Sequence, residues 1–199
     1  SSDLSAQVAE LGAKLQTLEQ NVGNGSGTSV VAQAIAAAGL KAAIDRGGSF
    51  ASELETYATV SPASPELAQL KGLAASGVPS KTELIAQFSD AAPAMIAATQ
   101  VSDPDAGLLQ RLADSAKGMV RSRPVGDVEG DTPEALIARM EVAVNRGDLD
   151  AALAEALKLP EAARMAGADY IGKLTARRDT DALVTKALTS ALSAAGAAK

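Results

Sequence analysis

The side chains of this sequence that could do chemistry are few, and almost all of them are charged. The chain of 199 residues has no Cys and no His, which excludes a thiolate or imidazole nucleophile and an ordinary zinc site. Asp103 and Asp105, and the run Asp127, Glu129 and Asp131, are the candidates for a cation site, and Asp127 with Asp131 is the best candidate for a pair of catalytic carboxylates. The second group lacks the other ligands of a calcium loop, including its final glutamate, and no tuned partner accompanies either group. We therefore predict a non-enzymatic protein with no catalytic residue, no metal and no cofactor.

The densest basic group is Lys117, Arg121 and Arg123, beside a loop rich in Pro and Gly. One interpretation is that these are helix-end charges that form surface ion pairs, which contribute little to stability. The other is a partner-docking loop, since functional residues concentrate on loops held by rigid elements. The pair Arg177 and Arg178, further along the chain, is interpreted as solvated charge.

Composition excludes several classes of partner. Lys and Arg total 18 and Asp and Glu total 24, which gives a net charge of −6, and the chain has two Phe, two Tyr and no Trp. A protein with neither a basic field nor stacking aromatic residues is not expected to bind nucleic acid, and we predict no small-molecule substrate. No transmembrane helix or signal peptide is predicted, so any membrane anchor of the parent protein is expected upstream.

The first residues have the spacing of a coiled coil. Apolar residues recur at intervals of four and three positions, which places them on one seam that needs a partner helix. The alternative is one amphipathic helix docked on its own domain. We predict a coiled-coil segment over residues 1–22, a flexible linker over 23–29, a helical domain over 30–199, and weak pairing into a homodimer. The seam residues are Leu4, Val8, Leu11, Leu15, Leu18 and Val22.

Helix start and stop signals are frequent after the linker. Ser80 and Glu83 form a capping box, Thr132 precedes a proline, Asp148 is a candidate N-cap, and Gly147 is a candidate helix terminator. Alternation with a period of two is absent over more than four residues. The sequence therefore predicts an all-α protein, with a coiled-coil segment followed by a bundle of short antiparallel helices.

Two interruptions are predicted within this bundle. Pro93 is expected to break or kink its helix near Ala91, because proline removes a backbone hydrogen bond. Near the C-terminus we expect two helices, over about residues 161–178 and 180–195, separated just before Thr180.

The order of several short stretches resembles the C-terminal mitofilin domain, most closely that of alphaproteobacterial members of the family. The resemblance covers roughly residues 30–193, and the coiled coil occupies the expected place before it. It is carried by the segments Val120–Gly126, Thr132–Ala135, Ala138–Glu141, Gly147–Leu149 with Ala152–Leu153, and Leu159–Pro160, and earlier by Asp45–Gly47, Phe50, Glu53–Leu54 and Ala75–Pro79.

The resemblance implies a membrane-organising scaffold. Mitofilins carry an N-terminal transmembrane helix, a long coiled coil and this helical head, and they shape and connect inner membranes, in mitochondria at crista junctions. The bacterial relatives are associated with intracytoplasmic membranes and with outer-membrane barrel-assembly proteins. By resemblance, this chain lies on the periplasmic face of a bacterial inner membrane, self-associates and tethers such partners.

The family also has a membrane-binding segment between coil and head, where residues 30–46 lie here. This stretch is Ala-rich, and its large apolar residues spread over more than one face, so it needs to be covered by protein or by lipid. It carries only two cations, and on these physical grounds a buried helix is favoured over an interfacial one. The residues of this candidate contact with an anionic membrane are Val31, Ile35, Leu40, Lys41, Ile44 and Arg46.

Overall fold

The structure, a computed structural model, describes residues 26–99 and 129–197. These residues form helices and no β-strand, which confirms the all-α class, and one isolated antiparallel bridge joins Gly48 and Val78. Three helices, of 21, 19 and 30 residues, are longer than the short helices expected. In chain order the helices are α1 (Ser26–Arg46), α2 (Ala51–Val60), α3 (Leu67–Ala74), α4 (Lys81–Thr99), α5 (Pro133–Arg146), α6 (Leu149–Lys158), α7 (Glu161–Ala166) and α8 (Ala168–Ala197).

The chain divides into two compact units. The described part of unit 1 comprises residues 26–43, 49–75 and 182–197, and that of unit 2 comprises residues 44–48, 76–99 and 129–181. Residues 30–199, expected to form one domain, therefore contain parts of both units. Residues 26–29 of the predicted linker lie in α1, whereas the predicted coiled coil over 1–22 lies outside the described residues.

Unit 1 is a small helical cluster in which Phe50 is fully buried. The backbone N–H of Phe50 donates to the carbonyl of Ala74 (3.0 Å), and the hydroxyl of Ser49 donates to the same oxygen (2.9 Å). These bonds hold the start of α2 against the end of α3. The fully or nearly fully buried side chains around them are Ala37, Leu40, Ala43, Leu54, Tyr57, Leu67, Leu70, Ala74, Val184, Ala187 and Ala191.

Unit 2 contains the larger hydrophobic core. One face of α4 contributes Leu84, Phe88, Ala92 and Met95 at intervals of three and four residues, the spacing that places side chains on one side of a helix. The ring of Phe88 meets that of Tyr170 edge to face, with centroids 5.5 Å apart, and the Tyr170 hydroxyl donates to the Leu84 carbonyl at 3.0 Å. Burial of this hydroxyl raises the pKa of Tyr170.

The helix-end signals at Ser80, Thr132, Gly147 and Asp148 are confirmed. Ser80 and Glu83 form the reciprocal capping box, in which the Ser80 N–H donates to the Glu83 carboxylate (2.6 Å) and the Glu83 N–H to the Ser80 hydroxyl (3.2 Å). The Thr132 and Asp148 side chains accept from the N–H groups of α5 and α6 three residues on. Gly147 ends α5 with φ 74°, a left-handed conformation that glycine adopts without strain.

Of the break or kink expected at Pro93, the break does not occur. α4 runs without interruption from Lys81 to Thr99 with Pro93 inside it. Pro93 is exposed, while Ala92 and Met95 on either side of it are buried in the same core. Packing of both halves of the helix on one core offsets the backbone hydrogen bond that the proline removes.

The break expected before Thr180 is wrong. α8 is continuous from Ala168 to Ala197, and the helical segment that begins at Glu161 ends at Ala166 instead. Thr180 lies inside α8 and caps no helix. Its hydroxyl donates to the Ala176 carbonyl one turn earlier at 2.7 Å. The true break lies at Gly167, where a Cβ would be 2.5 Å from the Met95 sulfur.

Candidate functional site

The candidate membrane-contact residues of α1 fall into two groups with opposite surroundings. Val31 and Ile35 are 54% and 68% exposed, whereas Leu40 and Ile44 are fully buried. Lys41 is half-buried and Arg46 is exposed. Within the candidate set, the apolar side chains on the surface are thus those near the start of the helix.

Val31 and Ile35 lie on the same side of α1, because residues four positions apart are neighbours on a helix surface. A different side of this half of α1 contacts the end of α2, because the Gln33 amide donates to the Val60 carbonyl at 2.9 Å. The protein therefore fixes the helix and leaves this pair of branched apolar side chains in solvent. We call Val31 and Ile35 the exposed pair.

The opposite end of α1 is organised by a buried arginine. Arg177, on α8, has no exposed side-chain surface. Its Nη1 donates to the carbonyls of Ile44 (2.8 Å) and Pro79 (3.2 Å). Its Nη2 donates to the carboxylate of Asp45 (2.7 Å), and its Nε and Nη2 form a fork with Asp181 (3.0 and 3.1 Å). We call these five residues the Arg177 junction.

All five N–H donors of the guanidinium have an acceptor in this arrangement. A cation of this kind is tolerated in the interior only when its hydrogen bonds are complete. The Ile44 carbonyl belongs to the last turn of α1, where it also accepts from the Gly47 N–H at 3.1 Å and where the helix dipole favours a positive charge. The Arg177 junction therefore fixes the C-terminal end of α1 within unit 2.

Two of the short stretches noted in the sequence meet at this junction. Asp45 and Gly47 come from the first stretch, and Val78 and Pro79 from the second. The Gly48 N–H donates to the Val78 carbonyl at 3.1 Å. Gly47 has φ 87°, and a Cβ there would be 2.8 Å from the Ser80 backbone nitrogen, so only glycine permits this close approach.

The interpretation of Arg177 as a solvated charge is wrong. One signal in the sequence could have identified it as buried. Arg177 follows Tyr170 and Leu174 by seven and three positions, so it lies on the stripe of α8 that carries the core residues. Asp181, one turn later, supplies a partner on the same face.

An ion pair between a second arginine, Arg139, and Glu155 joins α5 and α6. Arg139 donates to one carboxylate oxygen of Glu155 through Nε (3.0 Å) and Nη2 (2.8 Å), and to the Gly130 carbonyl through Nη1 (2.7 Å). Burial alone would raise the pKa of Glu155, but hydrogen bonds from Lys158 and Arg139 outweigh it and lower this pKa. Arg139, part of the resemblance to mitofilins, therefore has a structural role.

The remaining candidate residues are largely outside the described part of the chain. This holds for the seam residues Leu4 to Val22, for the candidate docking loop with Lys117, Arg121 and Arg123, and for Asp103, Asp105 and Asp127. Asp131 is described, and it lies 3.9 Å from Arg139.

Residues 26–99 and 129–197 contain no group of three or more side chains that could hold a metal ion. Among them, no helix has the length and apolar character needed to cross a membrane.

The described residues define an all-α protein, and known proteins similar in sequence indicate its family. The chain is 32% identical over 163 residues to the MICOS complex subunit MIC60 of Phaeosphaeria nodorum, and 31% identical over 163 residues to that of Pyrenophora tritici-repentis. These alignments cover 71% of this chain but only 26% and 25% of the relatives. The chain is thus similar to mitofilins, which confirms the resemblance found in the sequence.

The chain spans about a quarter of the length of these curated relatives. No family model matches it, and no solved structure does.

Proposed function

We propose that this chain is part of a non-enzymatic membrane-organising scaffold of the mitofilin type. The observation that carries the proposal is the similarity to two MICOS complex subunits over 163 residues. The fold is compatible with it, because rigid helices present an exposed apolar pair on one unit and a fully bonded charge network in the other. Such a fold suits the holding of partners better than the turnover of a substrate.

The family resemblance supplies the finer parts of the proposal. The parent protein is anchored in a bacterial inner membrane by an upstream helix, and this part lies on the periplasmic side. It self-associates, in part through the seam from Leu4 to Val22, and it tethers outer-membrane barrel-assembly proteins. The loop with Lys117, Arg121 and Arg123 is a candidate docking element for such a partner.

We assign the membrane contact to the exposed pair rather than to the whole stretch of residues 30–46. Leu40 and Ile44 are buried and cannot enter a bilayer without opening the protein. Val31 and Ile35 can insert from the folded state, and burial of each side chain contributes roughly 1.5–3 kcal/mol at most. Two side chains give weak binding, so several copies on one membrane are needed for stable attachment.

The second candidate function is a soluble helical adaptor without direct membrane activity. It is favoured by the burial of Leu40 and Ile44, which leaves only two large apolar residues of the candidate set on the surface. It is also favoured by the shortage of cations in this stretch, since interfacial helices usually carry a basic face.

Flotation of the full chain with anionic vesicles separates these two functions. The scaffold proposal expects a fraction of the protein to float with vesicles rich in phosphatidylglycerol, and less with neutral vesicles. Sedimentation equilibrium at rising concentration is expected to reveal a weak dimer. Absence of flotation under all conditions, with partner binding intact, would leave the adaptor as the function.

A further inference from the structure

A groove on the surface of unit 2 has no role in the contacts described above. It has a volume of about 420 Å³ and lies between α6, α7 and the first half of α8. Leu153 and Ala156 line it as buried side chains, and Ile171 is half-buried. Leu157 also lines it and is 72% exposed.

Among the described residues that line this groove, the charged ones are Arg164 and Arg178. Arg178 is bound by Asp179 (2.7 Å) and lies 3.6 Å from Asp150, so its charge is already paired. Arg164 is exposed and forms no ion pair with any described residue. The groove is therefore apolar, with Arg164 as the cation available to an acidic partner.

We propose that this groove binds an amphipathic α-helix of a partner protein, whose leucine-type side chains enter it and whose flanking carboxylates meet Arg164. A groove between helices accepts such a helix through anchors three and four residues apart. Its volume is within the range of specific ligand sites and accommodates two or three aliphatic side chains. The occupant is acidic because a planar guanidinium recognises a carboxylate with two hydrogen bonds.

This inference rests on the proposed scaffold function for its biological meaning, because it gives the chemistry of one tethered partner. The groove proposal and the scaffold proposal can be refuted independently of each other. Loss of vesicle flotation removes the membrane function and leaves the groove unaffected, whereas loss of peptide binding removes the groove and leaves flotation intact.

The test uses the full chain and two labelled helical peptides of about 18 residues, long enough for several turns. Both carry leucine at every third and fourth position. The flanking positions hold glutamate in one peptide and lysine in the other. Binding is measured by fluorescence anisotropy at physiological salt, and amide chemical shifts locate the site.

The acidic peptide is expected to bind at least about tenfold more tightly than the basic one, since opposite charges select partners. Its binding is expected to shift the amides of α6, α7 and the first half of α8. Leu157→Gln and Arg164→Glu are each expected to weaken it about fivefold or more. Arg164→Glu is also expected to improve binding of the basic peptide. Lys71→Glu, an exposed charge reversal on α3, is the matched control and leaves both affinities unchanged.

Three results would overturn the proposal. The first is equal binding of the two peptides, and the second is acidic-peptide binding that Arg164→Glu and Leu157→Gln leave unchanged. The third is binding of neither peptide. If Arg164→Glu then abolishes vesicle flotation or self-association, the groove is assigned to lipid headgroups or to a second copy of the chain.

Discussion

The two ends of α1 are similar in composition and opposite in environment. Near its start, Val31 and Ile35 extend into solvent, and Gln33 attaches another side of the helix to the end of α2. Near its end, Leu40 and Ile44 are buried, and Arg177 binds the last turn through the Ile44 carbonyl and the Asp45 carboxylate. One Ala-rich helix therefore contains a surface available for contacts and a segment committed to the core.

The two ends of α1, which are one continuous stretch of the sequence, therefore have different roles. The buried end maintains the fold, and its substitution is expected to destabilise the protein whatever the function. The exposed pair contributes little to the fold, so its substitution reports on function alone. The predictions below compare the two ends in order of decreasing effect.

Replacement of Arg177 is expected to have the largest effect. Arg177→Met removes the donor to the Pro79 carbonyl, one of the two donors to the Ile44 carbonyl, and the cation that binds the Asp45 and Asp181 carboxylates. The expected loss in free energy of unfolding is about 3 kcal/mol or more, measured by urea denaturation. Arg177→Lys keeps the charge but not the fork and is expected to recover only part of the loss.

The neighbouring Arg178 provides the control for this prediction. Its ion pairs are partly exposed, so Arg178→Met is expected to cost less than about 1 kcal/mol. Equal losses for the two arginines would show that the Arg177 junction does not stabilise the fold.

Truncation of the two isoleucines of α1 compares its ends directly. Ile44→Ala is expected to cost about 2–5 kcal/mol, because it removes buried methyl groups and leaves a cavity. Ile35→Ala is expected to change the free energy of unfolding by no more than about 0.5 kcal/mol, as is usual for surface positions. A large cost for Ile35→Ala would mean that Ile35 is covered in solution, by the chain itself or by a second copy.

Replacing each of two glycines of this region by alanine is expected to change the free energy of unfolding in opposite directions. Gly47→Ala forces a side chain into φ 87° and against the Ser80 nitrogen, so it is expected to cost about 1–2 kcal/mol or more. Gly39 lies inside α1, and a Cβ added there would meet nothing within 4 Å. Gly39→Ala is therefore expected to stabilise the protein by about 0.5–1 kcal/mol. Thermal denaturation measures both, and a stabilising Gly47→Ala would contradict the close approach.

Local features of the fold were predictable from the sequence because their causes are local. The caps at Ser80, Thr132 and Asp148, and the terminator Gly147, each depend on residues within one turn. The sequence could not decide whether the helix breaks at Pro93 or continues through it, because the packing of Ala92 and Met95 on distant residues decides it.

The candidate site was predictable only in part. The family resemblance placed a candidate membrane contact in residues 30–46, but the sequence could not say which side of the helix the protein covers. Arg177 was missed because its acceptors come from Asp45 and Pro79, about a hundred residues away in the chain. Contacts of this range depend on the tertiary fold and leave no mark in local propensity.

The most direct test of the membrane function is vesicle flotation of a variant with both exposed residues changed, Val31→Asp and Ile35→Asp. The matched control carries Leu157→Asp and Met165→Asp, two substitutions of exposed apolar residues in unit 2. Circular dichroism first establishes that both variants are folded. We expect the control to float with anionic vesicles like the unmodified chain, and the variant of the exposed pair to stay at the level seen without vesicles. Equal flotation of all three proteins would contradict the assignment of the membrane contact to this end of α1.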